Sequence, residues 1–165
     1  MNTRLRLATV QDFQAVAALR KNTIGGEYWP QTFLNEISNA HHVFLIMETV
    51  SSELVAYGWI ELTLPEASLI EMSVHPNVQR QGLGQLLLQE LMARACSLGS
   101  EKIFLEVRAS NAAARALYQK NGFKVISTRK RYYSKPEEDA LVMEKTFLFK
   151  PSNLARRIGE PEKTV

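Results

Sequence analysis

The segment with the clearest chemical signature is Gln79-Arg80-Gln81-Gly82-Leu83-Gly84, which lies between a predicted strand and a predicted amphipathic helix. Glycine lets the backbone approach a ligand closely, and the first turn of a helix leaves several N–H groups without intrahelical partners. Those amides, the positive end of the helix dipole and the Arg80 side chain together suit a pyrophosphate, and no metal ion is needed to hold it. The alternative is an ordinary glycine-containing loop that begins a surface helix.

Two familiar phosphate-binding motifs do not fit this chain. A dinucleotide-binding fold places Gly-x-Gly-x-x-Gly after its first strand, with an acidic residue about 20 positions later. A P-loop carries Gly-Lys-Ser or Gly-Lys-Thr. Neither pattern is present, so the glycine-rich segment indicates neither of these two folds.

Further motifs carry a resemblance to one family. Gln-x-x-Gly-x-Gly in this position looks like the pyrophosphate-binding signature of the GNAT acetyltransferases, and the likeness extends from Glu71 to Glu144. It continues through Glu106-Val107-Arg108-Ala109-Ser110-Asn111, Ala116-Leu117-Tyr118, Asn121-Gly122-Phe123 and Arg131-Tyr132-Tyr133. This combination resembles the bacterial ribosomal-protein-alanine N-acetyltransferases, which implies acetyl-CoA as co-substrate.

The resemblance also implies which residues bind the cofactor. Backbone groups of Met72, Ser73 and Val74 would contact the pantetheine arm and the acetyl carbonyl, while Asn111 would hydrogen-bond the pantetheine. Asn111 also suits a simple role as the N-cap of its helix, and the two roles are compatible. The pyrophosphate would be held by the backbone amides of Arg80, Gln81, Gly82, Leu83, Gly84 and Gln85.

One carboxylate is the candidate general base. The resemblance gives this role to Glu106, which lies near the carboxyl end of a predicted strand, where ligands collect in parallel sheets. The alternative is a solvated strand residue paired with Arg108 or Lys124. We therefore predict that Glu106 removes a proton from the attacking amine.

One phenol is the candidate general acid. Tyr118 lies seven residues beyond Asn111, which is about two helical turns, so the two side chains share a face. The family places this tyrosine near the CoA sulfur. Unperturbed pKa values of about 10 for tyrosine and about 8.5 for a thiol make proton donation to the departing thiolate only modestly uphill. A plain core aromatic is the alternative interpretation.

These roles predict direct attack of a neutral amine on the thioester, without an acyl-enzyme. Cys96 is a poor nucleophile candidate because nothing near it in sequence lowers its pKa, and a buried structural role is favoured. A single cysteine also excludes a disulfide framework and a cysteine metal cluster. No metal is expected.

The expected acceptor is the N-terminal α-amine of a protein, which the resemblance narrows to the N-terminal alanine of a small-subunit ribosomal protein. At pH 7.4 an α-amine loses about 0.7 kcal/mol to reach its neutral form, whereas a lysine loses about 4 kcal/mol. Tyr132 is predicted to line the acceptor entrance, although a basic strand end is equally ordinary. The alternatives are an acetyltransferase for lysine or small-molecule amines, and a non-catalytic CoA-binding module.

The rest of the chain supplies elements that position these residues. Thr9, with Asp12 three residues later, predicts the start of a helix that runs toward Asn22, and Pro30 begins a second helix. The order of the later elements predicts an antiparallel meander followed by a parallel crossover, which fits an α/β GNAT fold with about seven strands and about four helices. The predicted strands are 5–7, 43–47, 54–64, 68–74, 103–107, 124–133 and 141–149, with later helices at 83–97 and 111–121 and a polar loop at 134–139.

The bulk properties fit one globular domain. Of 165 residues, 45% are hydrophobic and 22% charged, and we expect a domain at 1–149 followed by a polar tail at 150–165. The sequence lacks the ~18-residue apolar stretch of a membrane span and the apolar part of a signal peptide, so a cytoplasmic location without membrane contact is expected. A net charge of +3 suits a polyanionic small ligand as well as RNA, but direct nucleic acid binding is not expected because interleaved aromatics and a strong basic face are lacking.

Overall fold

A seven-stranded mixed sheet carries the fold in the computed structural model, which describes residues 2–26 and 28–148. Within that part of the chain four α-helices accompany the sheet, two on each side, as the sequence predicted for a GNAT fold. The strands are β1 (Thr3–Leu7), β2 (His42–Thr49), β3 (Leu54–Thr63), β4 (Glu66–Val74), β5 (Lys102–Arg108), β6 (Lys124–Ser134) and β7 (Glu137–Thr146). The α-helices are α1 (Phe13–Thr23), α2 (Pro30–Ser38), α3 (Leu83–Ser97) and α4 (Ala112–Lys120).

The strand order is β1-β2-β3-β4-β5-β7-β6. The first four strands form the predicted antiparallel meander, and β4 pairs with β5 in parallel. The chain crosses between these two strands through α3, as the sequence predicted. The last strand, β7, inserts antiparallel between β5 and β6.

The start of α1 is more elaborate than predicted. The Asp12 carboxylate accepts hydrogen bonds from the Thr9 backbone N–H at 2.7 Å and from the Thr9 hydroxyl at 3.0 Å. This capping arrangement opens a short 3₁₀ turn, Val10–Asp12, and the α-helix itself begins at Phe13.

The prediction of a polar loop at 134–139 is wrong. The strand β6 extends to Ser134 and β7 already begins at Glu137, so the two form a tight hairpin. The polar residues are typical of a loop, but here they belong to a hairpin at the sheet edge and form ion pairs, such as Glu138 with Arg108. The strand β7 ends at Thr146, and both Phe149 and the predicted tail at 150–165 lie outside the described residues.

The core lies on both faces of the sheet. On one face α3 contributes a continuous apolar stripe that packs against the strands, with Leu87, Leu88 and Leu91 fully buried. On the other face α1 and α2 cover an aromatic cluster that includes Phe33 and Tyr57. Among the described residues no helix is both long and apolar enough to cross a membrane.

A bulge in β4 decides which side chains face α1. Trp59 pairs with Glu71 and Ile60 pairs with Leu69, which leaves Ile70 as an extra residue. Because side chains alternate along a strand, the extra residue exchanges the two faces beyond it. Leu69, Met72 and Val74 therefore all pack toward α3, whereas Glu71 and Ser73 face α1.

The sheet opens between its two parallel strands. The β4–β5 ladder runs from Glu66 opposite Lys102 to Leu69 opposite Leu105, and the two strands separate beyond that pair. Alternate backbone groups of residues 70–74 and 106–108 consequently face a gap instead of a neighbouring strand. Buried backbone groups need hydrogen-bond partners, so this gap is suited to a ligand that supplies them.

Candidate active site

Two adjoining cavities occupy the gap and its approach. The central cleft, of about 480 Å³, lies between the separated strands and is lined by residues such as Glu71, Glu106 and Tyr118. The loop groove, of about 550 Å³, lies along the glycine-rich turn before α3. Both cavities are lined by Met72, Asn111 and Ala114, so one elongated ligand can occupy both.

The glycine-rich turn leaves backbone amides at the start of α3 without intrahelical partners. Gly82 caps α3 in a left-handed conformation with φ of 84°, and its carbonyl accepts the N–H groups of Gln85 and Leu86 at 3.1 Å. The amides before Gln85 precede these first helical bonds and are available to an anion. The Gln79 side chain donates to the Val74 carbonyl at 3.0 Å, which ties the turn to the end of β4.

The structure places most of the predicted pyrophosphate-binding residues on the loop groove. Arg80 adopts a left-handed conformation with φ of 64°, which turns the backbone at this point. Gln81 is exposed and is not among the residues that line the groove. The lining residues from the predicted set are Arg80, Gly82, Leu83, Gly84 and Gln85.

Two of the three predicted pantetheine-binding residues of β4 line the loop groove. These are Met72 and Val74, and both lie on the α3 side of the sheet. The Ser73 hydroxyl points the other way and donates to the Thr23 hydroxyl at 2.6 Å. Ser73 can therefore offer its backbone, rather than its hydroxyl, to a ligand in the gap.

Asn111 lies where the two cavities meet. Its side-chain oxygen accepts the Ala114 N–H at 3.1 Å, so the predicted N-cap role is present. A capping oxygen leaves the side-chain NH₂ group, which is a donor, for other partners. The two roles predicted for Asn111 are thus chemically compatible.

Glu106 faces the central cleft from the α1 side of β5. Its neighbours Leu105 and Val107 pack toward α3, and strand alternation places Glu106 on the opposite face. The carboxylate is about one-third exposed, and its Oε1 lies 3.3 Å from Nη2 of Arg129. Neither alternative partner, Arg108 or Lys124, forms this contact. Exposed pairs of this kind contribute about 0–1 kcal/mol, so Arg129 does not lock Glu106.

Tyr118 reaches the cleft from the α3 side. The ring is 8% exposed and packs against Phe123 with centroids 5.7 Å apart. Burial, with a smaller effect from Tyr133, raises the pKa of Tyr118 to about 12. The phenol therefore carries its proton throughout the neutral range and is available as a hydrogen-bond donor.

The β6–β7 hairpin supplies a cleft residue that belongs to a quoted motif but was given no role in the sequence analysis. Tyr133 lines the central cleft, and the Arg108 guanidinium lies 4.0 Å above its ring. The predicted Tyr132 is 48% exposed and meets Tyr133 edge-on at 5.1 Å. The β6–β7 register shifts between Arg129 and Tyr133, and this irregularity leaves no mark in the sequence.

A second missed group lies on the α1 side of the cleft. Glu71 accepts hydrogen bonds from Arg20 at 3.0 and 3.1 Å and from the Tyr57 hydroxyl at 2.6 Å. Thr23 and Ile24 line the same wall. A charged residue between Ile70 and Met72 was the available signal, but the bulge that turns Glu71 toward α1 cannot be predicted from the sequence spacing.

The arrangement suits proton transfer at a ligand that lies in the gap. A carboxylate enters from one face and a protonated phenol from the other, with unpaired backbone groups between them. In the described part of the chain, no group of three or more His, Cys, Asp and Glu side chains is placed to hold a metal ion. The half-buried Cys96 lies on α3, away from the residues that line the cleft.

Comparisons with known proteins identify relatives of this chain. The family described as acetyltransferase (GNAT) matches residues 11–123. The ribosomal protein bS18-alanine N-acetyltransferase of Escherichia coli is 34% identical over 145 residues, which cover 87% of this chain and 96% of that protein. A Bacillus subtilis protein described as a putative enzyme of the same name is 26% identical over 84% of this chain and 92% of its own length.

A solved structure extends the likeness to three dimensions. The crystal structure of the Escherichia coli ribosomal-protein-alanine N-acetyltransferase superposes with a TM-score of 0.81 at 29% identity. The match covers 92% of this chain and 98% of that one. The chain therefore belongs to the GNAT acetyltransferase family and is an acetyl-CoA-dependent N-acetyltransferase.

Proposed function

We propose that this chain acetylates the N-terminal α-amine of a protein, and that its acceptor is the N-terminal alanine of a small-subunit ribosomal protein in the cytoplasm. The observation that carries the proposal is the central cleft, where Glu106 and Tyr118 approach one opening from opposite faces of the sheet. The specificity stated in the name of the Escherichia coli relative supports the choice of acceptor. Residues 1–149 form the catalytic domain in this proposal, and 150–165 form a tail.

Acetyl-CoA binds along the two connected cavities. The amides at the start of α3 hold its pyrophosphate, with Arg80 as an added cation. The pantetheine passes the backbone of β4 from Val74 to Met72 and the side chain of Asn111. The thioester then lies in the central cleft, where backbone N–H groups at the gap can stabilise the oxyanion.

The acceptor amine enters on the face that α1 covers. This side of the cleft holds Glu106, Ile24 and the hairpin residue Tyr133, with Tyr132 at its rim. The neutral amine forms a bond to the acetyl carbon, and Glu106 takes the proton that the nitrogen then loses. The thioester C–S bond breaks, and the sulfur leaves as a thiolate.

Tyr118 acts on the departing sulfur. The pKa of about 12 for Tyr118 exceeds that of an unperturbed thiol by about 3.5, which corresponds to about 5 kcal/mol for full proton transfer. This is more than the unperturbed pKa values suggested. Burial raises the pKa of the thiol as well, which reduces the difference. Tyr118 therefore begins as a hydrogen-bond donor to the developing thiolate and protonates it as the C–S bond breaks.

A peptide panel tests the acceptor. Acetyl transfer from acetyl-CoA is measured on short peptides with free N-terminal Ala, Ser or Met and on a lysine peptide with a blocked N-terminus. A clear preference for N-terminal Ala is expected. Activity on the lysine peptide alone would assign the enzyme to lysine or small-amine acceptors, and CoA binding without any transfer would indicate a binding module.

Substitutions test the catalytic base separately. Glu106→Gln is expected to keep CoA affinity and to lower turnover about 10²–10⁴-fold, the usual contribution of a positioned acid or base. Glu53→Gln, an exposed carboxylate in the β2–β3 turn, is the matched control and should leave turnover unchanged. Undiminished turnover in Glu106→Gln would remove the proposed base.

A further inference from the structure

Arg20 connects three parts of the α1 side of the central cleft. Its Nε lies 3.0 and 3.1 Å from the two carboxylate oxygens of Glu71 on β4. Its Nη1 donates to the Gly25 carbonyl at 3.1 Å. Its own backbone carbonyl accepts the N–H groups of Ile24 at 2.8 Å and Gly25 at 3.0 Å. One residue thus joins the end of α1, the following loop and the strand beside the reaction site.

The loop after α1 depends on this connection. Gly25 and Gly26 adopt φ of 83° and 78°, in the left-handed region that glycine tolerates. Glycine has little conformational preference of its own, so two in succession do not fix the course of the chain. Ile24, which precedes them, lines the central cleft while its side chain is 47% exposed. The position of that wall is set by bonds from outside the loop.

The ion pair beneath the loop is firmly held. The side chains of Arg20 and Glu71 are 20% and 18% exposed, so water screens the pair little. Tyr57 fixes the same carboxylate from β3. The Arg20 Cζ also lies 5.0 Å from the ring centroid of Tyr28, in the same connection between α1 and α2. These contacts leave Arg20 few alternative positions.

We propose that Arg20 is a positioning residue for the acceptor, which acts through Gly25 and Glu71 and touches no reacting atom. The inference rests on the proposed function, in which the acceptor enters on this face. Because the proposed pyrophosphate contacts lie in the loop groove on the α3 side, away from Arg20, we expect the affinity for acetyl-CoA to depend little on this residue. Loss of Arg20 displaces the Ile24 wall and weakens acceptor binding selectively.

The test is the steady-state kinetics of Arg20→Met with an N-terminal Ala peptide. We expect the KM for the peptide to rise about tenfold while the KM for acetyl-CoA changes less than about twofold. Arg94→Met removes another arginine–glutamate pair, to Glu90 at 2.8 Å, on the outer surface of α3 and should change neither KM. A purely structural role would lower stability without this split between the two KM values.

A double variant separates loop position from charge. Arg20→Met leaves Glu71 as an uncompensated carboxylate, and Glu71→Gln in the same chain removes that charge. The inference expects the peptide KM to stay raised, because the Gly25 carbonyl still lacks its donor. Recovery of the wild-type KM would overturn it and identify charge as the cause.

Hydrogen exchange supplies a readout that does not depend on turnover. Segment 23–26 should exchange faster in Arg20→Met than in the wild-type chain, and equal exchange would overturn the inference. If the wild-type chain acetylates no peptide with a free N-terminus, the proposed function fails. If it does so and Arg20→Met has an unchanged peptide KM, this inference alone fails.

Discussion

Replacing Tyr118 by Phe removes one hydroxyl group from the lining of the central cleft and separates catalysis from packing. The ring keeps its contact with Phe123, and the substitution nearly conserves volume, so stability near neutral pH should change by less than about 1 kcal/mol. CoA affinity should be retained, because the proposed pyrophosphate contacts lie in the loop groove and not at Tyr118. In the proposed mechanism the thiolate then lacks its proton donor, so turnover should fall about 10²–10⁴-fold.

The raised pKa of Tyr118 gives this variant a second signature at alkaline pH. The unfolded chain titrates its tyrosines near a pKa of about 10. The folded protein keeps the Tyr118 proton up to about pH 12, so folding stability is lost as pH rises between these values. At pH 11 the loss from this residue is about 1.4 kcal/mol, or one pKa unit. Tyr118→Phe lacks this contribution.

Two measurements decide the matter. Urea unfolding of both chains at pH 8 and pH 11 gives the difference in stability, in which the other titrating groups largely cancel. Single-turnover acetyl transfer gives the chemical step. An equal loss of stability between pH 8 and pH 11 in both chains would refute the raised pKa of Tyr118. An unchanged single-turnover rate in Tyr118→Phe would refute its role as an acid.

Gly82→Ala forces a side chain into the left-handed region, which costs about 1–2 kcal/mol, and should also weaken CoA binding measured by calorimetry. Gly99→Ala, at φ of 104° beyond the other end of α3, is the control, and it should lose a similar amount of stability while CoA affinity stays unchanged. The same CoA affinity in Gly82→Ala and Gly99→Ala would contradict the role proposed for the turn. Hydrogen bonds from Arg6 lower the pKa of Glu48, and those from Arg6 and Thr9 outweigh burial to lower that of Asp12. Folding stability should therefore fall as pH drops below about 4, and Arg6→Met should flatten that fall in acid-unfolding curves; an unchanged slope would contradict the pairing.

Much of the fold could be predicted from hydrophobic periodicity and helix-end signals. The predicted bounds of α3 match the structure, and Asn111 caps α4 as expected, because Leu spacing and an Asn or Gly at a helix end are local features. The β6–β7 hairpin was mispredicted because polarity reports exposure rather than backbone conformation. The charged residue types that form ion pairs in an edge hairpin are the same types that occur in a solvated loop.

The predictions for the site show the same difference between local features and features that depend on the pairing of strands. Glu106, Tyr118 and Asn111 were identified through motifs, and the structure brings all three to the central cleft. Glu71 and Arg20 were missed because their meeting depends on the bulge at Ile70, and a bulge is a property of pairing between strands. The glycine-rich turn could be identified as a candidate anion site because its sequence and its conformation are both local.

Because the β4–β5 ladder is short, the sheet consists of two parts that are hydrogen-bonded to each other at one end of the gap. One part is the four-stranded meander, and the other is formed by β5, β7 and β6. At about 3.3 Å per residue, Val74 lies roughly 16 Å from the last joined pair, Leu69 and Leu105. A rotation of about 4° at that pivot therefore moves the far end of the gap by about 1 Å, a misplacement that can change a rate about 10²-fold. The packing of the paired residues 66–69 and 102–105 thus affects how well the two substrates meet.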